Sequence, residues 1–330
     1  MTQSTPNFIN TAMAQPLPSF SLIVETENLL NADIEGLSCS LTSLVQQTLS
    51  PENANEVLLL DSGDAPPHLL SQLCDRYPWI KVYAVPESAG YYQAKMIGAK
   101  AATGEIVVYC DSDCIYEPSW LENLLRPFAD NPEIPIVAGE TMTRGVGIYN
   151  TAMVMAYIFP PFSGETNLAP DTQYFLNNVA FRRDFLLKHP IPTQLPLYRG
   201  NCAIHAAHLT SGSIERQPQA KATHAPPSSL SHFFWRFLLI GHDYYWQTRL
   251  NRENPPQNGN GNPSMNKANI FYDRLRCAIA WDIRHLFFLP LALPVAFCAV
   301  FLVAGGYFLT TLKPKALLTT YQNLLDESPT

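Results

Sequence analysis

The sequence predicts an α/β fold, a mainly parallel sheet flanked by helices, followed by a C-terminal transmembrane helix. Three observations predict it. Short apolar runs alternate with helical patterns through the first 130 or so residues, the rhythm of βαβ units. Each run ends in polar or acidic residues, as strands do where an open α/β sheet receives its ligand. Finally, Leu286 to Leu312 carries no charge. As a helix of ~40 Å it is long enough to cross a ~30 Å hydrocarbon core with tilt.

Composition narrows the function. The chain has 330 residues, 47% of them hydrophobic, enough for one large domain with an appendage. A net charge of -7 without a basic cluster excludes nucleic acid as the main partner. The seven cysteines are scattered without zinc-finger spacing and read as reduced thiols in a cytosolic compartment. Cys110 and Cys114 flank an acidic motif, a pairing that by itself is a weak metal signal. No basic region followed by an apolar core opens the sequence, so no signal peptide is expected.

In chain order, residues 1–18 are polar and broken by Pro6, Pro16 and Pro18, a flexible arm. Phe20 to Val24 is a strand running into Glu25-Thr26-Glu27-Asn28. Gly36 to Leu49 is a helix with Leu37, Leu41, Leu44 and Val45 on one face. Val57 to Leu60 is a buried strand that ends in the turn Asp61-Ser62-Gly63-Asp64. A helix from Pro67 to Tyr77, a strand from Ile80 to Val85 and a small-residue helix from Gly90 to Ala102 follow. Ile106 to Cys110 is the central strand, and Asp111-Ser112-Asp113 stands at its C-terminal edge. A right-handed wind gathers Thr26, Asp61, Glu87 and Asp111 along one rim. Two acids on such a loop can hold a hard cation that grips a diphosphate.

Four stretches here resemble, in order and spacing, the motifs of the family 2 glycosyltransferases of GT-A fold. They are Glu25-Thr26-Glu27-Asn28, Leu58 to Gly63, Gly90 to Gly98 and Asp111-Ser112-Asp113, the last similar to that family's metal-binding Asp-x-Asp. The resemblance implies a nucleotide-diphosphate sugar donor and a Mg²⁺ or Mn²⁺ cofactor. It places Thr26, Glu27 and Asp61 in the base and ribose pocket. Lys95 would stand in for an arginine near the diphosphate, a change that keeps the charge but loses the planar fork. Asp113 would ligate the metal, with Asp111 nearer the ribose and the metal's shell. The cation would neutralise the leaving diphosphate.

Further on, Ile136 to Thr141 reads as a strand and residues 142–170 as an irregular stretch. Its aromatics Tyr149, Tyr157, Phe159 and Phe162 suit either core or an acceptor pocket. Asn177 to Arg183 resembles the family's strand that precedes its acceptor-side helix. Gly212 to His224 resembles its closing motif, which makes His224 a third metal or diphosphate contact. The departure is the general base. Where the family carries a Glu-Asp pair this chain has Arg199-Gly200-Asn201-Cys202, and Asn201 cannot accept a proton in that role. His205 and His208, one helical turn apart, are candidates, as are Asp171, Glu165 and Asp243.

Ser228 to Leu250 is an aromatic-rich helix, suited to a bilayer surface or to packing under the domain, and Glu253 to Ser264 is a linker. Pro290 and Pro294 leave open a re-entrant course for the apolar segment. Arg274, Arg276 and Arg284 before that segment slightly outnumber Lys313 and Lys315 after it, which favours a cytosolic catalytic domain on a single pass. The expected units are the arm, a GT-A domain over 19–227, interfacial helices and linker over 228–285, the span over 286–312, and a tail over 313–330.

The expected activity is metal-dependent transfer of a hexose-type sugar, by an inverting displacement, to a lipid-linked or saccharide acceptor. No Gln-x-x-Arg-Trp motif follows the core, so single transfer is favoured over polymerisation. The rival is a catalytically silent family member that binds a nucleotide sugar or scaffolds partners. A nucleotidyltransferase would want a Gly-rich basic loop after the first strand, which is absent.

Overall fold

The computed structural model describes residues 15–25, 34–63, 65–256 and 267–326. Thr26 and Glu27 lie outside the described residues. The four apolar runs are strands: β1 (Phe20–Glu25), β2 (Glu56–Asp61), β3 (Ile80–Ala84) and β4 (Ile106–Asp111). They pair in parallel in the order β3-β2-β1-β4. Every residue of β1 and β4 is buried, which is why both read as unbroken apolar runs. Helices α1 (Ile34–Val45), α2 (Pro67–Arg76) and α3 (Tyr91–Ala101) make the crossovers. Leu37, Leu41 and Leu44 of α1 pack into the core on one face of the sheet, and Ala94, Met96 and Ala99 of α3 into the core on the other.

The second half completes the sheet with β5 (Cys114–Tyr116), β6 (Ile136–Thr143), β7 (Ala169–Asp171), β8 (Asn178–Arg182) and β9 (Ile214–His224). The order continues β4-β8-β6-β9-β5, with β7 paired to β9. Because β8 is antiparallel to both β4 and β6, the sheet is mixed. Strand β5, too short for the sequence pattern to separate from its loop, pairs antiparallel with β9. Helices α4 (Trp120–Asp130), α5 (Ile148–Ala156), α6 (Arg183–Lys188) and α7 (Asn201–His208) lie between these strands. The stretch 142–170 is therefore not wholly irregular, since α5 occupies part of it. Its Ala152, Met153 and Met155 carry no 3.6-residue polar contrast because several sides of α5 are covered.

A helical layer covers this end: α8 (Leu230–Glu253), α9 (Lys267–Trp281), α10 (Arg284–Leu312) and α11 (Ala316–Asp326). Helix α10 is the one described helix long and apolar enough to cross a membrane, and it runs unbroken through Pro290 and Pro294. It buries His285, Ala292, Ala296, Ala299, Gly306 and Thr310, a seam of mostly small residues that packs on α5 and α8. The approach is backbone to backbone: a Cβ on Gly306 would stand 2.0 Å from the Leu238 carbonyl oxygen, and one on Gly241 2.0 Å from that of Val303. On its outer side Phe287 and Phe301 are 74% and 75% exposed. Helix α8 packs on the domain, with Phe233, Phe237 and Leu239 buried. Most of the linker read at 253–264 lies outside the described residues.

Candidate functional site

Asp111, the last residue of β4, and Asp113 after it meet very different surroundings. Asp111 is 5% exposed and already has partners. Lys95, fully buried on α3, pairs with its Oδ1, and the Tyr91 hydroxyl donates to both carboxylate oxygens at 2.8 and 3.1 Å. The Lys95 ammonium also reaches the carbonyls of Cys110 (3.1 Å) and Leu176 (3.4 Å). A buried carboxylate needs such a counter-charge, since alone it would cost several kcal/mol. Lys95 is therefore not on a solvated helix face; its charge lies beneath the loop, against Asp111.

Asp113 instead faces His224, and the register of two short strands is what brings them together. Cys114 of β5 pairs with His224 of β9, so the residue before Cys114 lies beside the imidazole. Strand β9 reaches that position through a register shift against β6 between Gly139 and Glu140. Asn178 holds the irregularity, donating to the carbonyls of Glu140 (2.9 Å) and Ala220 (3.0 Å) and accepting from the Trp120 indole (2.7 Å). A Cβ on Gly139 would stand 2.2 Å from Asn178 Oδ1, so the close approach requires glycine. The result is Asp113 Oδ2 at 3.1 Å from His224 Nε2.

The imidazole's other side sharpens this. His224 Nδ1 lies 2.5 Å from the Ala225 carbonyl and so carries the proton, which leaves the Nε2 lone pair toward Asp113 in the neutral ring. Two acceptors then converge, the arrangement a divalent cation resolves. Cys114 Sγ completes a group of three ligand atoms within 4.8 Å of one another. Asp113, His224 and Cys114 therefore fit a metal by donor chemistry and convergence. Asp111, expected among the ligands, is outside this group because Lys95 and Tyr91 hold it. With Nε2 also protonated, as when no cation lies between the two, burial still pushes the Asp113 carboxyl up, but the charge and hydrogen bond of His224, aided by Arg236 and Arg199, outweigh it and hold it down at about 2.

A cleft of about 210 Å³ opens over these residues. Its lining includes Tyr157, which the sequence offered for core or an acceptor pocket, and Tyr91, Arg144, Arg199, Cys202 and Arg236, which the sequence reading did not assign to the site. Arg144 donates to the carbonyl of Asp113 at 3.0 Å, and Arg236 to the Tyr157 hydroxyl at 2.7 Å. The Arg199 guanidinium lies 4.0 Å from the centroid of the Tyr91 ring, within cation–π range. These residues come from five separate segments, so no local motif could have grouped them. Of the irregular stretch's aromatics, Tyr157 and Phe159 line the cleft, whereas Phe162 stacks on Trp281 and Tyr149 on Phe233.

The candidate bases fall elsewhere. His205 lines no part of the cleft: Nε2 donates to the His189 carbonyl (2.9 Å), and Nδ1 accepts from Tyr174 (2.8 Å). Burial pushes it down to about 4. The His208 nitrogens lie 2.8 and 3.1 Å from the carbonyls of Ile204 and Asn254. Asp171 and Glu165 join Arg216 at 3.6 and 2.5 Å, away from the cleft. Asp243 accepts from the amides of Tyr198 (2.7 Å) and Arg199 (2.8 Å), which positions that cleft-lining pair; burial pushes it up to about 6. Asn201 is buried and donates to the Pro192 carbonyl at 2.6 Å. Asp61 ends β2, two strands from β4, and accepts from the Gly63 amide at 3.2 Å outside the cleft's lining.

Comparison with known proteins agrees with this architecture. Residues 31–193 match the model of glycosyl transferase family 2. Polypeptide N-acetylgalactosaminyltransferase 10 of Mus musculus is 32% identical over 132 residues, 38% of this chain and 21% of that protein. Glycosyltransferase AglE of Haloferax volcanii is 29% identical over 112 residues, 33% of this chain and 35% of that protein. The chain thus spans about a fifth to a third of the length of these curated relatives. Among solved structures, mannosyltransferase PcManGT from Pyrobaculum calidifontis, in complex with GDP-Man and Mn²⁺, aligns over 95% of this chain and 89% of its own (TM-score 0.54, 20% identity). A GalNAc-transferase with UDP, GalNAc and Mn²⁺ aligns over 81% of this chain and 58% of its own (TM-score 0.52, 17% identity). At such identities the structural likeness speaks for the fold, and the family match gives it its place: residues 31–193, just under half of the chain, match glycosyl transferase family 2 on a fold of GT-A type.

Proposed function

We propose that this chain transfers a sugar from a nucleotide-diphosphate sugar to a lipid-linked or saccharide acceptor, with a divalent cation and inversion at the anomeric carbon. The convergence of Asp113 Oδ2 and His224 Nε2 at 3.1 Å carries this reading. Asp113 and His224 would hold Mg²⁺ or Mn²⁺, with Cys114 beside them. Bound there, the cation supplies electrostatic stabilisation of the leaving diphosphate. Arg144 and Arg199 add donors along the same wall. Asp111, tied down by Lys95 and Tyr91, positions the loop and offers its edge to the donor. Thr26, Glu27 and Asp61 remain the proposed base and ribose contacts. Two structural neighbours bear Mn²⁺ with a nucleotide or nucleotide sugar, which supports the donor class.

The proposed organisation keeps the transferase domain over 19–227 and gives the apolar helix at 286–312 to the membrane, with the catalytic domain on the cytosolic side. The exposed Phe287 and Phe301 on α10 support lipid contact. To test the reading, the full chain in detergent is incubated with Mn²⁺ and UDP-, GDP- and dTDP-sugars, and released nucleoside diphosphate is assayed with and without a membrane lipid extract. Release that EDTA abolishes and lipid stimulates is expected. Binding of a nucleotide sugar with no release under any condition would instead establish the silent binder.

A further inference from the structure

The segments on either side of α10 return to the same domain. Before it, Arg274 of α9 donates to the Tyr157 carbonyl at 2.6 Å. After it, the Trp246 indole of α8 donates to the Pro314 carbonyl at 3.2 Å. Tyr321 of α11 then stacks edge-on against Tyr198, their ring centroids 5.3 Å apart. Tyr157 and Tyr198 both line the cleft. A helix that crossed a bilayer would leave its two flanks in different compartments, and only one of them could reach that cleft.

Helix α10 is also covered along its length. Near one end His285 Nδ1 lies 2.8 Å from Thr151 Oγ1 of α5, and near the other Thr310 Oγ1 lies 3.2 Å from His242 Nδ1 of α8. Between them Ala292, Ala296 and Ala299 share a cluster with Met153 of α5 and with Phe233 and Phe237 of α8. From His285 to Thr310 is ~38 Å of helix, more than the ~30 Å hydrocarbon core. No membrane-spanning length of α10 is therefore free of the domain. Set across the bilayer, it would draw in α8, which carries Arg236 and the buried Asp243.

The opposite face of α10 is bare. Phe287, Leu291, Phe297, Phe301, Phe308 and Leu312 are exposed along it, and no charge falls between Arg284 and Lys313. Both ends are polar: Arg284 precedes the helix in an ion pair with Asp282 (2.6 Å), and exposed Lys313 and Lys315 follow it. An apolar stripe bounded in this way matches acyl chains bounded by headgroup phosphates, which the two lysines complement. From these observations we infer that α10 is a monotopic anchor that lies in one leaflet instead of crossing the bilayer. Its phenylalanine stripe sits among phospholipid acyl chains, its small-residue seam stays on the domain, and both of its ends remain on the domain's side. The inference deepens the membrane placement proposed above and is independent of the transfer chemistry.

The test labels the full chain in the membranes of a bacterial host with an impermeant amine-reactive ester and reads lysine acylation by mass spectrometry. Spheroplasts present the outer face of the membrane, inverted vesicles the inner one. Lys313 and Lys315 are expected to label in step with the domain's exposed Lys100 and Lys188, all in one preparation and none in the other. Labelling of Lys313 and Lys315 in the opposite preparation to Lys100 and Lys188 would overturn the inference and make α10 a transmembrane span. Phe301→Glu, on the bare face, should cut the fraction of purified chain that floats with vesicles of phosphatidylcholine and phosphatidylglycerol by about tenfold. Its thermal midpoint should stay near that of the parent, because the seam is untouched. Undiminished flotation of the variant would overturn the inference, as would a parent that leaves the vesicles as a soluble dimer joined through this face. None of these measurements needs donor turnover, so the glycosyl-transfer reading stands or falls separately, by the assay given above.

Discussion

The floor and the mouth of the cleft use the same side chain, an aspartate, to opposite ends. At the floor Asp111 is closed off: Lys95 and Tyr91 satisfy its carboxylate, and little of it meets solvent. At the mouth Asp113 is partly open, its side chain 19% exposed, and it faces an imidazole whose proton lies on the far nitrogen. The chain supplies the cation for the first acid, whereas on the proposed reading the second awaits an ion from outside. The two acids of one motif would thus divide the labour, one fixing the loop and the other binding.

Breaking the floor should have the largest effect. Lys95→Met leaves Asp111 buried without its counter-charge and is expected to destabilise the fold by about 3–5 kcal/mol. The double variant Lys95→Met with Asp111→Asn should recover a good part of that loss. Denaturant midpoints of the four proteins in the cycle measure it, and additivity of the two changes would show that the pair is not coupled.

Breaking the mouth should act on activity and spare the fold. Asp113→Asn is expected to lower Mn²⁺-dependent donor turnover by about 10²–10³-fold, roughly 2.7–4 kcal/mol of transition-state stabilisation. Its thermal midpoint should stay close to that of the parent. A matching fall in stability would place Asp113 with the floor.

His205 offers a way to sharpen the contrast, because it titrates without facing the cleft. The unfolded chain takes up its proton near pH 6.5, whereas burial keeps the folded ring neutral to about 4. Between those values the unfolded state binds more protons, so stability falls as the pH drops. The loss approaches about 3 kcal/mol by pH 4. His205→Leu should flatten that part of the stability profile between pH 6.5 and 4. A shift in the pH dependence of turnover instead would return His205 to the chemistry.

The smallest expected effect comes from the helical layer that walls the mouth. Gly306→Ala puts a Cβ against the Leu238 carbonyl, and the strain is expected to cost about 1–3 kcal/mol. Thermal unfolding in detergent reads it. No change would mean that α8 and α10 separate freely.

Much of the floor was legible in the sequence, because its determinants are local. The buried parallel strands announce themselves as apolar runs, and Asp111-Ser112-Asp113 follows β4 directly. The mouth was legible only as single residues. His224 could be named from its closing motif, but its distance to Asp113 depends on the pairing of the three-residue β5 with β9 and on the irregular register near Gly139. The candidate bases misled for a related reason. Spacing puts His205 and His208 on one short helix, α7, yet says nothing of what each ring meets, and both meet backbone carbonyls.

By itself, then, the sequence determined the α/β class, the order of the first strands and helices, the acidic loop and the long apolar helix. Each of these follows from periodicity and from residues adjacent in the chain. Tertiary structure alone decided which acid is closed and which is open, where Lys95 spends its charge, and that three arginines from distant segments share one cleft. Those outcomes depend on burial and on side-chain contacts between residues tens of positions apart, and a linear pattern records neither.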